Sequence, residues 1–367
     1  MQMKAVKIAA HVCRAVLAAT FICSGFVKSV DPWGTALRVN EYLSIYGLDA
    51  LERWSMEFSI WLCGAELMMG LMLLFKVRIR LVSIFTLASM SLFTVITFLS
   101  ATWLPVEDCG CFGDALKLSP WQTFAKNLVL LPMAYVVWRR YRPDKIFAFR
   151  TTELFLTALF FSLSMGIGIY SCRHLPLVDM LPYKIGVNLD ETRRNAVAVE
   201  AAPETILVYR NLKTGRTREF RLDDKEWQDA STWEWVDTRT ASAPSAIHPT
   251  VAEFSIRDAE GDATAEILSR EGRVHMLCAT RLDGVGRRCS LRFEAAIRRA
   301  VQNGQTVVLL TADPLHEVTY RAFGSEEVRC YNVDATTLKT MLRARNGVVV
   351  LDSGTIVDKR NCRDMDL

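Results

Sequence analysis

The sequence predicts an α-helical membrane bundle followed by an external α/β domain, and three observations carry that reading. Apolar stretches of membrane length, or nearly so, occupy residues 8–27, 56–75, 81–103, 123–138 and 152–171; a hydrocarbon core of about 30 Å needs roughly 20 helical residues. Lys and Arg crowd only alternate connections between these stretches. Beyond the last of them, short β-rich runs alternate with helical ones, the pattern of a mixed sheet carrying helices. An apolar fraction of 51% and a mean hydropathy of +0.16 are intermediate, as averaging a membrane bundle with a charged soluble region would give. The net charge of +4 says little about function. No stripe of interleaved basic and aromatic residues suggests nucleic acid.

In chain order, Lys4 and Lys7 precede the first stretch. It reads as a retained helix, because His11 and Arg14 interrupt the run and Phe21-Ile22-Cys23-Ser24 is a poor signal-peptide cleavage match. Lys76, Arg78 and Arg80 lie between the second and third stretches, and Arg139, Arg140, Arg142, Lys145 and Arg150 between the fourth and fifth. By the positive-inside rule these segments are cytoplasmic. Residues 28–55, 104–122 and everything after Ser171 are then external, on the periplasmic side of an inner membrane. Three ionisable residues sit in or at the edge of the spans. Arg14 and Lys28 are placed to snorkel to the interfaces. Glu66 is deepest and has a short side chain; it calls for protonation or an interior partner such as Arg14, or else serves a proton or quinone site. Gly64, Ala65 and Gly70 beside it let helices approach closely.

The third connection carries Asp108-Cys109-Gly110-Cys111-Phe112-Gly113-Asp114. Thiols on the oxidising side of the membrane form disulfides, and a Cys-x-Cys pair closes a tight ring better suited to exchange than to permanent stapling. Gly110 is the residue able to accommodate the turn. Ser119 and Pro120 fit the cap and first position of the fourth helix. Two other uses remain open: a structural disulfide, most simply to Cys172 after the fifth stretch, and metal ligation, which lacks the His or further Cys of a zinc pattern.

In the external half, residues 205–210 and 217–222 read as strands around a turn, followed by an aromatic segment with Trp227, Trp233 and Trp235 as local core. Residues 238–249 are the best linker. The following pattern predicts strands at 253–256, 274–279, 306–311 and 328–333, helices at 264–269, 291–303, 314–322 and 336–344, and a final hairpin of 348–351 with 355–359. Cys330 and Cys362 are free to pair with each other or with Cys278.

The stretch from Ser24 to Pro32, Glu66 with Gly70, and the Cys-Gly-Cys-Phe-Gly motif followed by Ser119-Pro120-Trp121 together resemble the DoxX/MauE family of redox-associated membrane proteins, over roughly residues 8–142. The motif, with the exit sequence His174-Leu175-Pro176, is similar to a Bacteroidetes-type sub-branch. That resemblance implies a four-helix bundle and, for the methylamine-utilisation branch, maturation of disulfide-rich periplasmic proteins. The alternating half resembles a thioredoxin fold. Its chemistry does not carry over: the turn from Thr280 to Cys289 lacks Cys-x-x-Cys, and Asn346 stands where a proline is expected. Cys289 alone, at a helix start beside Arg287 and Arg288, retains a one-cysteine exchange role.

The implied organisation is a DoxX-like four-helix transmembrane bundle at 1–145, a fifth transmembrane helix at 146–172, a periplasmic β-rich connector at 173–245 and a thioredoxin-like domain at 246–367. Two functions compete. One is a thiol–disulfide oxidoreductase using Cys109 and Cys111, with Cys172 and Cys289 as accessory thiols, a periplasmic client or thioredoxin-like partner, and a carrier such as quinone. The other is a non-enzymatic assembly factor whose bundle anchors a redox-inactive, client-binding domain. A transporter is weaker, since no pair of broken helices is evident. No metal and no further cofactor is indicated.

Overall fold

The computed structural model describes residues 2–103, 110, 111, 113, 116, 118–141, 151–179, 181–200, 204–221, 224–229, 231–241, 251, 254–314 and 319–366. Among the described residues, six α-helices make the first half: α1 (Gln2–Val30), α2 (Pro32–Ile45), α3 (Ser55–Phe75), α4 (Ile79–Thr102), α5 (Pro120–Arg140) and α6 (Thr151–Arg173). Four of these segments, Lys7–Val30, Ala50–Phe75, Ile79–Thr102 and Thr151–Arg173, are long and apolar enough to cross a membrane. The helix expected at 123–138 forms as α5 and packs along α4, but Lys126, Asn127 and its terminal Arg139 and Arg140 dilute its apolarity. Its outward residues Trp121, Leu128, Val129 and Tyr135 are exposed, as are Phe85 and Leu92 on α4 and Phe155 and Leu159 on α6. These faces suit lipid.

Close approach sets the bundle's centre. A Cβ on Gly25 of α1 would run into the backbone of Leu67, and one on Gly70 of α3 into Ile22, so the two helices touch backbone to backbone at both places. The α3–α4 link is tight, with Lys76 and Arg78 in left-handed conformations at φ 57° and 44°. Arg14 corrects the expectation of a partner for Glu66. Its guanidinium donates to the carbonyls of Leu73 and Leu74 (2.7 Å to the latter), capping the carbonyl end of α3.

A helix not expected from the sequence, α2, fills most of the connection between the first two spans. Asp31 caps it, accepting from the Gly34 N–H at 3.1 Å, and Pro32 occupies its first turn. Ser119 and Pro120 start α5 as expected, with Gln122 completing a reciprocal capping box.

The second half holds two sheets. A small antiparallel one has strand order β2-β1-β3, from β1 (Glu204–Asn211), β2 (Thr217–Arg221) and β3 (Trp233–Ala241). The aromatic segment is therefore partly a strand. Trp233 stacks edge-on against Phe220 with centroids 4.8 Å apart, and Trp227 meets Tyr209 at 5.7 Å, while Trp235 stays exposed. Within the expected linker, residues 238–241 finish β3, and 242–249 lie outside the described residues.

The larger sheet has order β6-β7-β5-β4-β8-β9. Its elements are β4 (Arg273–Ala279), β5 (Thr306–Thr311), β6 (Tyr320–Phe323), β7 (Glu326–Asn332), β8 (Asn346–Asp352) and β9 (Thr355–Asn361), with α7 (Leu189–Glu200), α8 (Thr264–Leu268), α9 (Arg287–Gln302) and α10 (Ala335–Leu342). β4, β5 and β7 run parallel; β6, β8 and β9 pair antiparallel to their neighbours. Alternate residues feed two cores: Met276 and Leu310 face Phe254, Leu338 and Met341 on one side, while Leu277 and Leu309 face Phe293 and Ile297 of α9 on the other. The sheet is thus covered on both faces.

Several expectations change here. Residues 320–323 form strand β6, not the end of a helix, because they close a hairpin on β7 around Gly324 at φ 63°; 315–318 lie outside the described residues. The segment 254–256 is irregular, contributing Phe254 and Ile256 to the core, and Arg257 after it forms isolated bridges to Asn332 and Asp262. The segment leaving α6 is not β-rich. Tyr183 and Leu189 are fully buried in the sheet's core, Gly186 and Val187 hydrogen-bond Ile356, and Lys359 Nζ binds Asp179 at 2.7 Å and the Tyr183 carbonyl at 3.0 Å. Cys289 and Cys362 form a disulfide with Cα atoms 5.7 Å apart, tying the first turn of α9 to the segment after β9. That removes Cys289 as a lone exchange thiol and Cys362 as a partner of Cys330 or Cys278. Burial pushes the Cys278 thiol up to about 12 and Cys330 up to about 11, which leaves both inert near neutrality.

Candidate functional site

The site forms where α1, α2, α3, α4 and α5 surround the loop carrying Cys111. Along α1, Ser24 and Lys28 are one helical turn apart and share a face. That face meets Glu66 of α3. The Lys28 ammonium forms a tight ion pair with the Glu66 carboxylate, both side chains being buried. Ser24 Oγ lies 3.0 Å from Glu66 Oε2 and 2.6 Å from the Cys111 carbonyl oxygen. One hydroxyl thus links the ion pair to the backbone of the Cys111 loop. Lys28, expected to snorkel, is instead directed inward because Glu66 offers a countercharge that the apolar surroundings do not.

The loop's shape follows from its glycines. Gly110 has φ 62° and Gly113 has φ 55°, with the Gly113 N–H donating to the Gly110 carbonyl at 3.0 Å. A side chain at Gly110 would also press on Arg38 of α2, whose Cγ stands 3.2 Å from the position of an added Cβ. Cys111 is half-buried; Cys109 lies outside the described residues, as do Asp108, Phe112 and Asp114.

Gly110 and Cys111 form one wall of a cavity of about 340 Å³ inside the bundle. Its other walls are largely apolar, with Phe21, Leu62, Met90, Phe93, Ile96 and Leu130, and carry polar groups from Lys28, Glu66, Arg38, Thr97, Lys126 and Asn127. Asn127 Nδ2 donates to Thr97 Oγ1 at 3.2 Å, joining α5 to α4. An apolar chamber with a few convergent polar groups is the usual form of a small-molecule site. Among the described residues, no group of His, Cys, Asp and Glu could hold a metal ion.

Of the residues singled out in the sequence, Cys111, Glu66 and Lys28 come together here. Arg14 sits at the other end of α3, and Cys172 does not line the cavity, its charged neighbours being Arg345, Glu57, Arg173 and Arg363. Ser24 and Arg38 were missed, as was Cys63, a buried thiol 3.6 Å from Thr35 Oγ1 and close to Lys28. The signal for Ser24 was its spacing of four from Lys28, which puts both on one helix face.

Residues 6–139 match the family model described as Methylamine utilisation protein MauE. The bundle is MauE-like. Three of the four membrane-length apolar helices fall within that region and the fourth follows it, which fits a MauE-like, multi-pass membrane protein. Residues 203–241, which hold the small sheet, match a model described only as a domain of unknown function, DUF8463. No curated protein and no solved structure matches the chain. The MauE match ends at residue 139, one residue before α5 does, so α6 and the sheets lie beyond it.

Proposed function

We propose that this MauE-like chain is an inner-membrane thiol–disulfide redox protein supporting the maturation of periplasmic proteins, with Cys109 and Cys111 as the exchanging pair. The observation that carries the reading is the anchoring of the Cys111 carbonyl, through Ser24, to the buried Lys28–Glu66 pair at the edge of an apolar chamber. In the exchange, a client thiolate attacks one sulfur of the Cys109–Cys111 disulfide. A mixed disulfide forms and the other loop thiol leaves; a second client thiolate then releases the dithiol. Return of the pair to the disulfide releases two electrons and two protons; the apolar walls of the chamber with Lys28, Glu66 and Arg38 would hold a quinone, which would supply the acceptor for them. The charge pattern supports this: basic residues flank the α3–α4 turn and follow α5, as expected of cytoplasmic connections, which favours a periplasmic side for the Cys-Gly-Cys loop and the sheets.

The C-terminal half fits a thioredoxin-like domain without redox activity. Its order of β4, α9, β5, α10, β8 and β9 supports the fold, while the 280–289 turn holds no thiol pair and Cys289 is occupied by Cys362. That occupation favours a second reading, an assembly factor in which the thiols are structural. The test is a Cys111→Ser variant in cells. Cys109 then lacks its resolving partner and accumulates client proteins as mixed disulfides, and Cys172→Ser leaves that trapping intact. No trapped species, with Cys111 of the unaltered protein found bonded to Cys172, moves the conclusion to the assembly factor.

A further inference from the structure

A second cavity, of about 310 Å³, lies on the opposite side of α2, between the bundle and the larger sheet's domain. We propose that it binds an extended, acidic polypeptide segment. Trp33 and Asn40 of α2 line it, about two turns apart on the helix face turned away from the Cys111 chamber. Trp33 is 8% exposed, and its Nε1 has no hydrogen-bond partner. Asn40 donates its Nδ2 to Glu52 at 3.2 Å, so its Oδ1 is the remaining group, and that oxygen has no partner either. An indole N–H can only donate and an amide oxygen can only accept. Together they want one acceptor and one donor, which is what each peptide unit of an extended chain offers. A phosphate or carboxylate headgroup would satisfy the indole and leave Asn40 Oδ1 facing a second acceptor. Neither atom is open to water as it stands, so a side-chain adjustment of the kind common at interfaces accompanies binding.

The charge around the cleft sets the ligand's sign. Asp283 is clamped by Arg281 at 2.7 Å, and Glu52, which accepts from Asn40, keeps its negative charge; Arg53, Lys339 and Arg345 outnumber that carboxylate and leave the rim net cationic. A volume near the lower end of small-ligand sites, about 300–1,000 Å³, suits a short run of backbone and not a folded surface. The opposite face of α2 supplies Thr35, Arg38 and Tyr42 to the chamber holding Cys111. A helix is about 10 Å across, so a segment in the cleft is held roughly one helix width from the redox loop. Identifying that segment as part of a redox client rests on the thiol-exchange reading. Binding itself does not.

The test uses the full chain in phosphatidylcholine nanodiscs, with fluorescence anisotropy of a labelled peptide alternating Glu and Ala and of its Lys-for-Glu counterpart. The acidic peptide binds and the basic one does not, and affinity falls with added salt. Lys339→Glu with Arg345→Glu weakens the acidic peptide at least about tenfold, one step of roughly 1.4 kcal/mol. Trp33→Phe and Asn40→Leu each weaken it while leaving the unfolding midpoint within a degree or so of the parent. Cys111→Ser binds as the parent does, even if trapping of clients fails, which separates this proposal from the redox one. Equal binding of both peptides, or no effect of the double charge reversal, overturns it. Displacement of the acidic peptide by nanodiscs containing phosphatidylglycerol also overturns it, in favour of a lipid headgroup site.

Discussion

Replacing Glu66 by Gln leaves the Lys28 ammonium buried without a countercharge, and the structure sets the size of the effect. Both side chains are over nine-tenths buried, at 6% and 7% exposure, so solvent screening that weakens surface pairs does not apply. Removing one partner of a buried pair costs about 3–5 kcal/mol. An independent figure agrees: insertion of a Lys at mid-helix costs about 2.5–3.5 kcal/mol, and Lys28, two residues from the end of α1, belongs near the lower part of that range. Glu66→Gln should therefore destabilise the bundle by about 3 kcal/mol. Glu57→Gln, exposed in the first turn of α3, should change it by less than about 0.5 kcal/mol. The double variant Lys28→Met with Glu66→Leu removes both charges and keeps the volume, and should recover most of the loss. The assay is reversible SDS unfolding in mixed micelles, read as a double-mutant cycle. Should Glu66→Gln match Glu57→Gln, or the double variant lose as much as its singles combined, the ion pair is not what holds α1 to α3 at this level.

Topology yields a prediction of its own: reporters fused after Arg142 and after Tyr183 should report opposite compartments, cytoplasm and periplasm, and a cytoplasmic reading at Tyr183 removes the basis for disulfide chemistry. A soluble fragment starting near residue 249 should fail to give a cooperative unfolding transition, while one starting at Arg173 should give one. The shorter fragment lacks Tyr183 and Leu189, each fully buried, and the Asp179 carboxylate that partly offsets the burial holding Lys359 below its ordinary pKa; loss of two large core side chains alone amounts to several kcal/mol. Two similar unfolding curves would show that the α6 exit is not part of that core.

The spans were legible because apolarity over a membrane length is a property of composition, and α3, α4 and α6 form where it predicts. Helix α2 is not evident in the sequence although Asp31-Pro32 is the same cap-and-proline signal as Ser119-Pro120; Arg38 and Asn40 put polar groups on opposite faces and leave no single apolar stripe. The partner of Glu66 depended on how α1 and α3 are set against each other. Arg14 is level with Leu73, and Glu66 lies seven residues away from that, about 10 Å along the helix. Lys28 is at the right level, yet only the axial offset of two antiparallel helices reveals it. In the sheet, the core strands 274–279 and 306–311 were readable from continuous apolar runs, while β6 owes its state to pairing with β7, which local sequence does not encode. The Cys289–Cys362 bond joins positions 73 residues apart and follows from the fold alone.

The corner from Lys28 to Asp31 brings two buried ion pairs within one turn of chain. Lys28 points into the bundle and holds Glu66; Asp31 points outward, capping α2 with one carboxylate oxygen and meeting fully buried Arg343 of the sheet domain with the other, at 3.0 Å. Arg343 follows α10 in a left-handed conformation at φ 51°, and α10 packs on α2. Apolar residues of equal volume often serve stability as well as a buried pair does. A pair left without its partner is heavily penalised, so each of these two favours one arrangement of its elements. Here both arrangements act on the same helix ends. The start of α2 is set by Asp31 against the sheet domain, and the Arg38 side chain, two turns further on, lies over Gly110 beside the Cys111 carbonyl that Ser24 holds to Glu66. The seating of the C-terminal half and the backbone at Gly110 and Cys111 are therefore joined through one helix with a cavity on each side.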